Sequence, residues 1–239
     1  MPIKALILAG GLGTRLRPVL KDLPKPMAPV AGKPFLEHLI KYLKKQEITD
    51  IILCLYYMPE KIINYFKNGK HLGVNITYSI ETSPMGTAGA IKKAAKHLND
   101  TFLTINGDTL LEINIKNFIQ YHKQKQATAT IAITKIKNAQ RYGTIQTDKN
   151  LKIINFKEKT KQKTAWINAG YYVLEPQILK YIPENKPTSL EKEVIPQLIK
   201  TGEPVYAYPT TGYFIDIGTP ESYHQLLQDI SQRKIILPT

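Results

Sequence analysis

Short apolar runs alternate with helical patterns through the first half of this chain of 239 residues. Apolar, β-rich runs predict strands at 3–8, 51–55, 74–80 and 101–105, and helical spacing predicts helices at 35–43, at 60–66 and from Gly86 onward. Such alternation is typical of a largely parallel sheet with both faces covered by helices. In sheets of this kind ligands bind at the carboxyl ends of the strands. The pattern therefore predicts an α/β fold with its ligand site at that edge.

The second half of the chain is less regular. Runs at 128–134, 144–147, 153–156 and 167–174 predict strands joined by short turns, in an antiparallel or mixed portion with a lid. We expect a helix from about Leu190, with Thr188 and Glu191 forming its capping box and Pro196 bending or shortening it. Thr219 followed by proline indicates a second helix start. No linker or repeat interrupts the sequence, so we expect a single domain spanning 1–239.

The composition is that of an ordinary soluble globular protein, with 43% hydrophobic and 22% charged residues. No stretch approaches the roughly 20 apolar residues of a membrane helix, and no cleavage site follows the first apolar run. We therefore expect a cytoplasmic protein without a membrane partner. Cys54 lies within an apolar strand, which predicts a buried thiol without a chemical role.

The formal net charge of +14 allows partners such as nucleic acid or highly charged small substrates. The lysines are scattered along helices and turns, which is typical of a solvated face. No known nucleic-acid module or aromatic platform is recognisable, so we do not expect a nucleic-acid partner, although this remains a weak alternative.

A glycine-rich turn, GGLGTR at 10–15, directly follows the first strand. Glycines in such a place let the backbone approach an anion closely. Arg15 ends this turn, and Arg17 and Lys25 follow it, the lysine between two prolines that restrict its backbone. The spacing matches neither a P-loop nor the G-x-G-x-x-G dinucleotide fingerprint, because Leu16 stands at the third glycine. The stretch predicts a cradle for several phosphates and disfavours a nicotinamide oxidoreductase.

The motif GGLGTRLRP followed by PKPM resembles the signature of the sugar-phosphate nucleotidyltransferases. Further matches follow in the same order: ETSPMGTAGA (81–90), INGDT (105–109), FKEK (156–159), INAG (167–170) and GYFIDIG (212–218). The resemblance implies a Rossmann-like, mostly parallel sheet flanked by helices, with a smaller mixed β subregion for sugar binding or a lid. It also implies a nucleotide-binding part at about 1–110 and a sugar-phosphate-binding part at about 111–239.

The resemblance implies an enzyme in which a sugar 1-phosphate oxygen attacks the α-phosphorus of a nucleoside triphosphate and releases pyrophosphate. The nucleophile is already ionised, so the chemistry needs cations and positioning and no general base. Catalytic roles fall to Arg15, Lys25 and Asp108, and Asp108 and Asp216 would bind Mg²⁺, which prefers oxygen ligands. The implied nucleotide contacts are Leu8, Ala9, Gly10, Gly11, Gly13, Thr14, Arg15, Glu81, Gly86 and Thr87. The implied sugar-phosphate contacts are Lys25, Gly143, Glu158, Lys159 and Asn168.

Two segments depart from the family pattern, and both concern loop shape. Thr160 follows Lys159 where proline is frequent, and Val19 and Leu20 stand where leucine and threonine are common.

Glu81 stands where the family reads the edge of the base. A carboxylate can accept both N–H groups that guanine presents there, whereas uracil or thymine offers one. The competing interpretation of Glu81, a solvated charge near a helix start, has nearly equal weight.

The combination LPKPMAP, SLEKE and GYFIDIGTPESY is most similar to the D-glycero-α-D-manno-heptose 1-phosphate guanylyltransferases, which predicts GTP and that sugar 1-phosphate as substrates. Alternatives within the family are a mannose 1-phosphate guanylyltransferase and a uridylyl- or thymidylyltransferase acting on a hexose 1-phosphate. Outside it stand a glycosyltransferase, disfavoured because NGDTL lacks a D-x-D pair, and a module that only binds nucleotide. Self-association into a homo-oligomer is left open.

Overall fold

The computed structural model describes residues 3–137, 143–157 and 164–238. The strands within these ranges are β1 (Lys4–Leu8), β2 (Pro29–Val30), β3 (Lys33–Pro34), β4 (Asp50–Leu55), β5 (Asn75–Ile80), β6 (Phe102–Asn106), β7 (Thr109–Leu111), β8 (Ala129–Lys137), β9 (Thr144–Thr147), β10 (Ile153–Lys157), β11 (Thr164–Leu174), β12 (Val205–Thr210) and β13 (Phe214–Asp216). The α-helices are α1 (Arg17–Leu20), α2 (Phe35–Lys45), α3 (Pro59–Phe66), α4 (Gly86–Lys93), α5 (Ile115–Gln124), α6 (Ile195–Lys200) and α7 (Pro220–Ser231). Each strand and helix expected from the sequence is present, with ends shifted by a few residues.

The chain forms two compact units. The first comprises Met1–Pro84, Ile105–Leu110 and Tyr213–Thr239, and the second comprises Met85–Thr104 and Leu111–Gly212. The assignment of about 1–110 to the nucleotide and about 111–239 to the sugar phosphate, within one domain, stays a prediction.

Parallel pairing joins the main strands of the first unit. β1 pairs with β4 and β4 pairs with β5, both in parallel. β1 and β4 are apolar almost throughout because both faces of the strands are covered, and Leu6, Ile7 and Leu53 are fully buried. Cys54 is buried in this core, and burial raises the pKa of its thiol, as its apolar setting predicts. The last residues of β6 lie beside β1, because Gly107 N–H donates to the Leu8 carbonyl at 2.9 Å.

Mixed pairing joins the strands of the second unit. β8 pairs with β11 antiparallel and with β12 in parallel, and β9 pairs antiparallel with both β10 and β11. Tyr171 and Tyr172 on β11 are fully buried. The α/β fold expected from the sequence, with parallel and mixed β portions, is confirmed.

The helix expected near Leu190 begins differently from its sequence prediction. A π-helical turn, Leu190–Val194, leads into α6, and Pro196 lies in the first turn of α6. Ser189, not Thr188, is the N-cap: its hydroxyl accepts from Lys192 N–H at 3.1 Å. The predicted capping box of Thr188 and Glu191 is therefore wrong. The carboxylate of Glu191 accepts hydrogen bonds from side-chain hydroxyls instead. At the later helix, Thr219 caps α7 as predicted.

No helix among the described residues is both long and apolar enough to cross a bilayer.

Candidate functional site

Neighbouring residues pack closely around two glycines of the turn after β1. A Cβ on Gly10 would lie 3.0 Å from the backbone nitrogen of Tyr56 and 3.2 Å from Oε1 of Glu81. Gly13 has a φ of +60° and a Cβ there would lie 3.1 Å from Cβ of Lys25. Gly13 favours glycine because of its positive φ, Gly10 is tightly packed, and the turn runs directly past a carboxylate and the backbone of a lysine.

The residues on either side of these glycines divide into anchored and open positions. Leu8 and Ala9 are held by backbone hydrogen bonds, since the Leu8 carbonyl accepts from Gly107 and Ala9 N–H donates to the Cys54 carbonyl at 2.9 Å. Gly11 and Thr14 are exposed. The turn is therefore fixed at its start and open to a ligand further along.

Arg15 and Arg17 point to different neighbours. Arg15 is exposed, and its Nη2 would lie 3.3 Å from a Cβ on Gly218. The guanidinium of Arg17 lies over the ring of Tyr57, 4.8 Å from its centre. Of the two arginines, Arg15 is the one beside the backbone that follows Asp216.

Lys25 and Asp108 form an ion pair in the first unit. Their side chains are 15% and 23% exposed, and the ammonium of Lys25 donates to Oδ2 of Asp108. The hydroxyl of Thr109 donates to Oδ1 at 3.1 Å. Burial alone would raise the pKa of Asp108, but the charge of Lys25 and the hydrogen bonds from Lys25 and Thr109 outweigh burial and lower it. Asp108 is therefore a carboxylate at neutral pH.

Asp216 comes from a backbone segment adjacent to that of Asp108. Ile217 N–H donates to the Asp108 carbonyl at 2.9 Å, and Oδ1 of Asp216 accepts from Gly218 N–H at 2.7 Å. The described residues include no group of three or more His, Cys, Asp or Glu side chains suited to a metal. Two aspartates nevertheless fit Mg²⁺, which typically takes one or two carboxylates together with substrate phosphates.

Glu81 is a buried carboxylate at the end of β5. Its side chain is only 8% exposed, and its N–H donates to the Leu55 carbonyl at 2.8 Å. It lies beside Gly10, so it borders the glycine-rich turn and is not a solvated surface charge.

The second unit holds the remaining described site residues. Gly86 has a φ of +71°, and a Cβ there would lie 2.6 Å from the Thr188 carbonyl oxygen. The hydroxyl of Thr87, the next residue, donates to Oε2 of Glu191 at 2.7 Å. Asn168 N–H donates to the Gly143 carbonyl at 3.3 Å, so these two predicted sugar contacts are neighbours. Glu158 and Lys159 lie outside the described residues.

Glu191 and Tyr172 were not predicted as site residues, yet they connect two that were. The hydroxyl of Tyr172 donates to Oε1 of Glu191 at 3.0 Å and accepts from Nδ2 of Asn168 at 2.6 Å. The sequence signal for Glu191 is the SLEKE segment, which predicts a helix start and is one of the segments that carry the resemblance.

Comparisons with known proteins show which family the chain resembles. The Nucleotidyl transferase family matches residues 4–233. A D-glycero-alpha-D-manno-heptose 1-phosphate guanylyltransferase from Campylobacter jejuni is 39% identical over 94% of this chain and 99% of its own length. A mannose-1-phosphate guanylyltransferase from Mycobacterium tuberculosis is 37% identical over 92% of this chain and 62% of its own.

A solved structure is also similar. HddC from Yersinia pseudotuberculosis, crystallised in complex with GMP-PN, superimposes with a TM-score of 0.84 at 37% identity, covering 95% of this chain and 99% of that one. The match extends over nearly the whole chain in both sequence and fold, and the chain belongs to the nucleotidyl transferase family.

Proposed function

We propose that this chain transfers a guanylyl group from GTP to a sugar 1-phosphate, with D-glycero-α-D-manno-heptose 1-phosphate as its substrate. The observation that carries the proposal is the grouping of Arg15, Lys25, Asp108 and Asp216 around one glycine-rich turn in the first unit. The similarity to a heptose 1-phosphate guanylyltransferase along nearly its full length supports the choice of sugar.

The reaction joins two polyanions, and its barrier comes from their repulsion. A phosphate oxygen of the sugar 1-phosphate forms a bond to the α-phosphorus of GTP, and the bond from that phosphorus to the oxygen that bridges to the β-phosphate breaks. The products are a GDP-sugar and pyrophosphate. Arg15 and Lys25 supply fixed positive charge for the phosphates, and preorganised charge of this kind lowers the barrier without a proton transfer.

Mg²⁺ belongs to this proposal as the divalent cation. Asp108 and Asp216 would hold it, and it would neutralise charge on the triphosphate when bound. Lys25 contacts one oxygen of Asp108 in the structure, so the cation and the lysine would share that carboxylate.

We assign the recognition of guanine to Glu81. A buried carboxylate offers acceptors only, and guanine presents two adjacent donors to it. Glu81→Gln replaces one acceptor with a donor, which would face a guanine N–H. We expect kcat/KM for GTP to fall about 100-fold. The variant loses a hydrogen bond to a charged acceptor and places two donors against each other, which costs about 2–3 kcal/mol. The preference for GTP over UTP, measured with both enzymes, should fall by a similar factor; an unchanged preference would contradict the assignment.

The remaining substrate contacts come from the second unit. Gly143, Asn168 and the undescribed Glu158 and Lys159 are proposed to bind the sugar phosphate, and Gly86 and Thr87 the nucleotide. Mannose 1-phosphate is the second candidate, favoured by the similar mannose-1-phosphate guanylyltransferase. A uridylyl- or thymidylyltransferase stays an alternative. The expectations of a cytoplasmic location, of no nucleic-acid partner and of an open oligomeric state remain predictions.

Pyrophosphate release tests the proposal directly. The full chain would be assayed with Mg²⁺, each of GTP, UTP and dTTP, and each of heptose, mannose and glucose 1-phosphate. Fastest release with GTP and the heptose 1-phosphate would support base and sugar together. Faster release with another pair would transfer the assignment to that pair, and no release with any pair would refute guanylyl transfer.

A further inference from the structure

A continuous chain of hydrogen bonds runs through four side chains of the second unit. Thr87 donates to Glu191, Tyr172 donates to the other oxygen of Glu191, and Asn168 donates to the Tyr172 oxygen. Ser189 adds a second donor to Oε2 of Glu191 at 3.0 Å. The four residues come from α4, β11 and the π-helical turn, so the chain joins three separate segments of the unit.

The directions of these bonds are fixed by Glu191. Its pair with Tyr172 has one possible polarity, because a carboxylate only accepts, and so the single phenolic proton must go to Oε1. The phenolic oxygen is then an acceptor toward its other neighbour. Asn168 must therefore present Nδ2, and not Oδ1, to Tyr172.

The other side of the Asn168 amide requires the same orientation. Its Oδ1 accepts from the backbone N–H of Gly170 at 2.9 Å. A flipped amide would place Nδ2 against that N–H, which is a donor facing a donor. The two constraints agree. Among the described residues these contacts use one N–H and one oxygen lone pair of the Asn168 amide, and its other N–H and lone pair match one sugar hydroxyl, which both donates and accepts.

We infer that Glu191, acting through Tyr172, is a positioning residue that fixes the Asn168 amide for recognition of a sugar hydroxyl. This inference rests on the proposed function. Glu191 does not touch the sugar in this scheme; it sets the polarity of a relay whose far end does. Thr87 belongs to the same relay: its hydroxyl proton is used by Glu191, and its oxygen accepts from Leu190 N–H at 2.8 Å.

Tyr172→Phe tests the relay at its central link. The variant keeps the buried ring and removes the hydroxyl that couples Glu191 to Asn168. We expect KM for the sugar 1-phosphate to rise about 10-fold, while KM for GTP and kcat stay within about two-fold, since one hydrogen bond contributes about 1 kcal/mol or somewhat more. The matched control is Tyr171→Phe, which alters the adjacent and equally buried tyrosine outside the relay.

Glu191→Gln is the second variant, and it decides the matter if Tyr172→Phe does not fold. Glu191 is half-buried, and glutamine keeps its size. Its amide can donate to Tyr172, which turns the phenolic proton toward Asn168 and removes the preference for one amide orientation. We expect KM for the sugar 1-phosphate to rise more than KM for GTP.

The outcomes separate this inference from the proposed function. A rise in KM for the sugar 1-phosphate that both variants show and Tyr171→Phe lacks would support it. Equal changes in both KM values, or a lower melting temperature with unchanged kinetics, would overturn the inference about Glu191. In either case the proposed function stands as long as the parent protein is active. A parent protein inactive on every substrate pair would overturn both.

Discussion

Glu37 provides a quantitative test of how the segment carrying Lys25 is anchored. Its side chain lies on α2 with an exposure of only 2%, and it accepts from Lys33 at 2.8 Å, Tyr65 at 2.7 Å and Lys41 at 3.2 Å. The start of α2 is tied to the preceding segment, since Phe35 N–H donates to the Ala28 carbonyl at 2.9 Å. Loss of the Glu37 charge should therefore weaken the attachment of α2 to the segment that carries Lys25.

The pKa of Glu37 gives the magnitude. Burial acts to raise it, but hydrogen bonds from Lys33, Tyr65 and Lys41 outweigh burial and lower the pKa from 4.5 to about 2. This difference corresponds to about 3 kcal/mol of unfolding free energy at neutral pH, and we expect about 2 kcal/mol because Lys33 is largely solvated. A lowered carboxyl pKa stabilises the fold above the unfolded value of 4.5, and the stabilisation is lost as the pH falls toward about 2.

Glu37→Gln removes the titration and keeps the side-chain size. Urea unfolding of parent and variant at pH 7 and at pH 3 gives the free energy of each. The variant should be less stable by about 2 kcal/mol at pH 7, and more than half of that gap should close by pH 3. A gap that is the same at both pH values would refute the reasoning, because it would show that the Glu37 charge contributes nothing beyond its shape.

Three further variants test the site. Asp108→Asn should lower kcat at least about 100-fold at saturating Mg²⁺ with circular dichroism unchanged, and full activity would contradict its metal role. Gly218→Ala would place a Cβ 2.5 Å from Oδ1 of Asp216 and 3.3 Å from Nη2 of Arg15, so kcat should fall about 10-fold or more; parental kinetics would show that neither group needs its position. Lys159→Ala should raise KM for the sugar 1-phosphate more than the Kd for GTP measured by calorimetry, and equal losses would argue against its role.

The strands could be predicted from sequence because burial imposes a local pattern. In the run 51–55 every residue is apolar, and this segment is the central part of β4 with neighbours on both sides. The first residue of a helix is harder to predict from sequence, because it depends on which single hydroxyl caps the helix. Thr188 and Ser189 are both suitable N-cap residues by type. The N-cap is Ser189 because the helix begins with a π-helical turn at Leu190.

The pairings within the site could not be predicted from residue patterns alone. Lys25 and Asp108 are 83 positions apart, and Thr87 and Glu191 are 104 apart. No local periodicity relates residues at such distances, because their contact depends on how the strands and helices pack. The family resemblance indicated which residues matter, but it could not indicate that Lys25 takes one oxygen of Asp108.

The charged groups of the proposed site suit a reaction without proton transfer. All five histidines are described, and none is a predicted site residue; His122, for example, is buried and bonded to Thr130 and Glu175. Asp108, which pairs with Lys25, has a lowered pKa and is ionised at neutral pH, so it is a poor proton acceptor. Such a set suits a nucleophile that is already an anion. The arrangement therefore favours phosphoryl chemistry by fixed charge over hydrolysis, in which water would need a base.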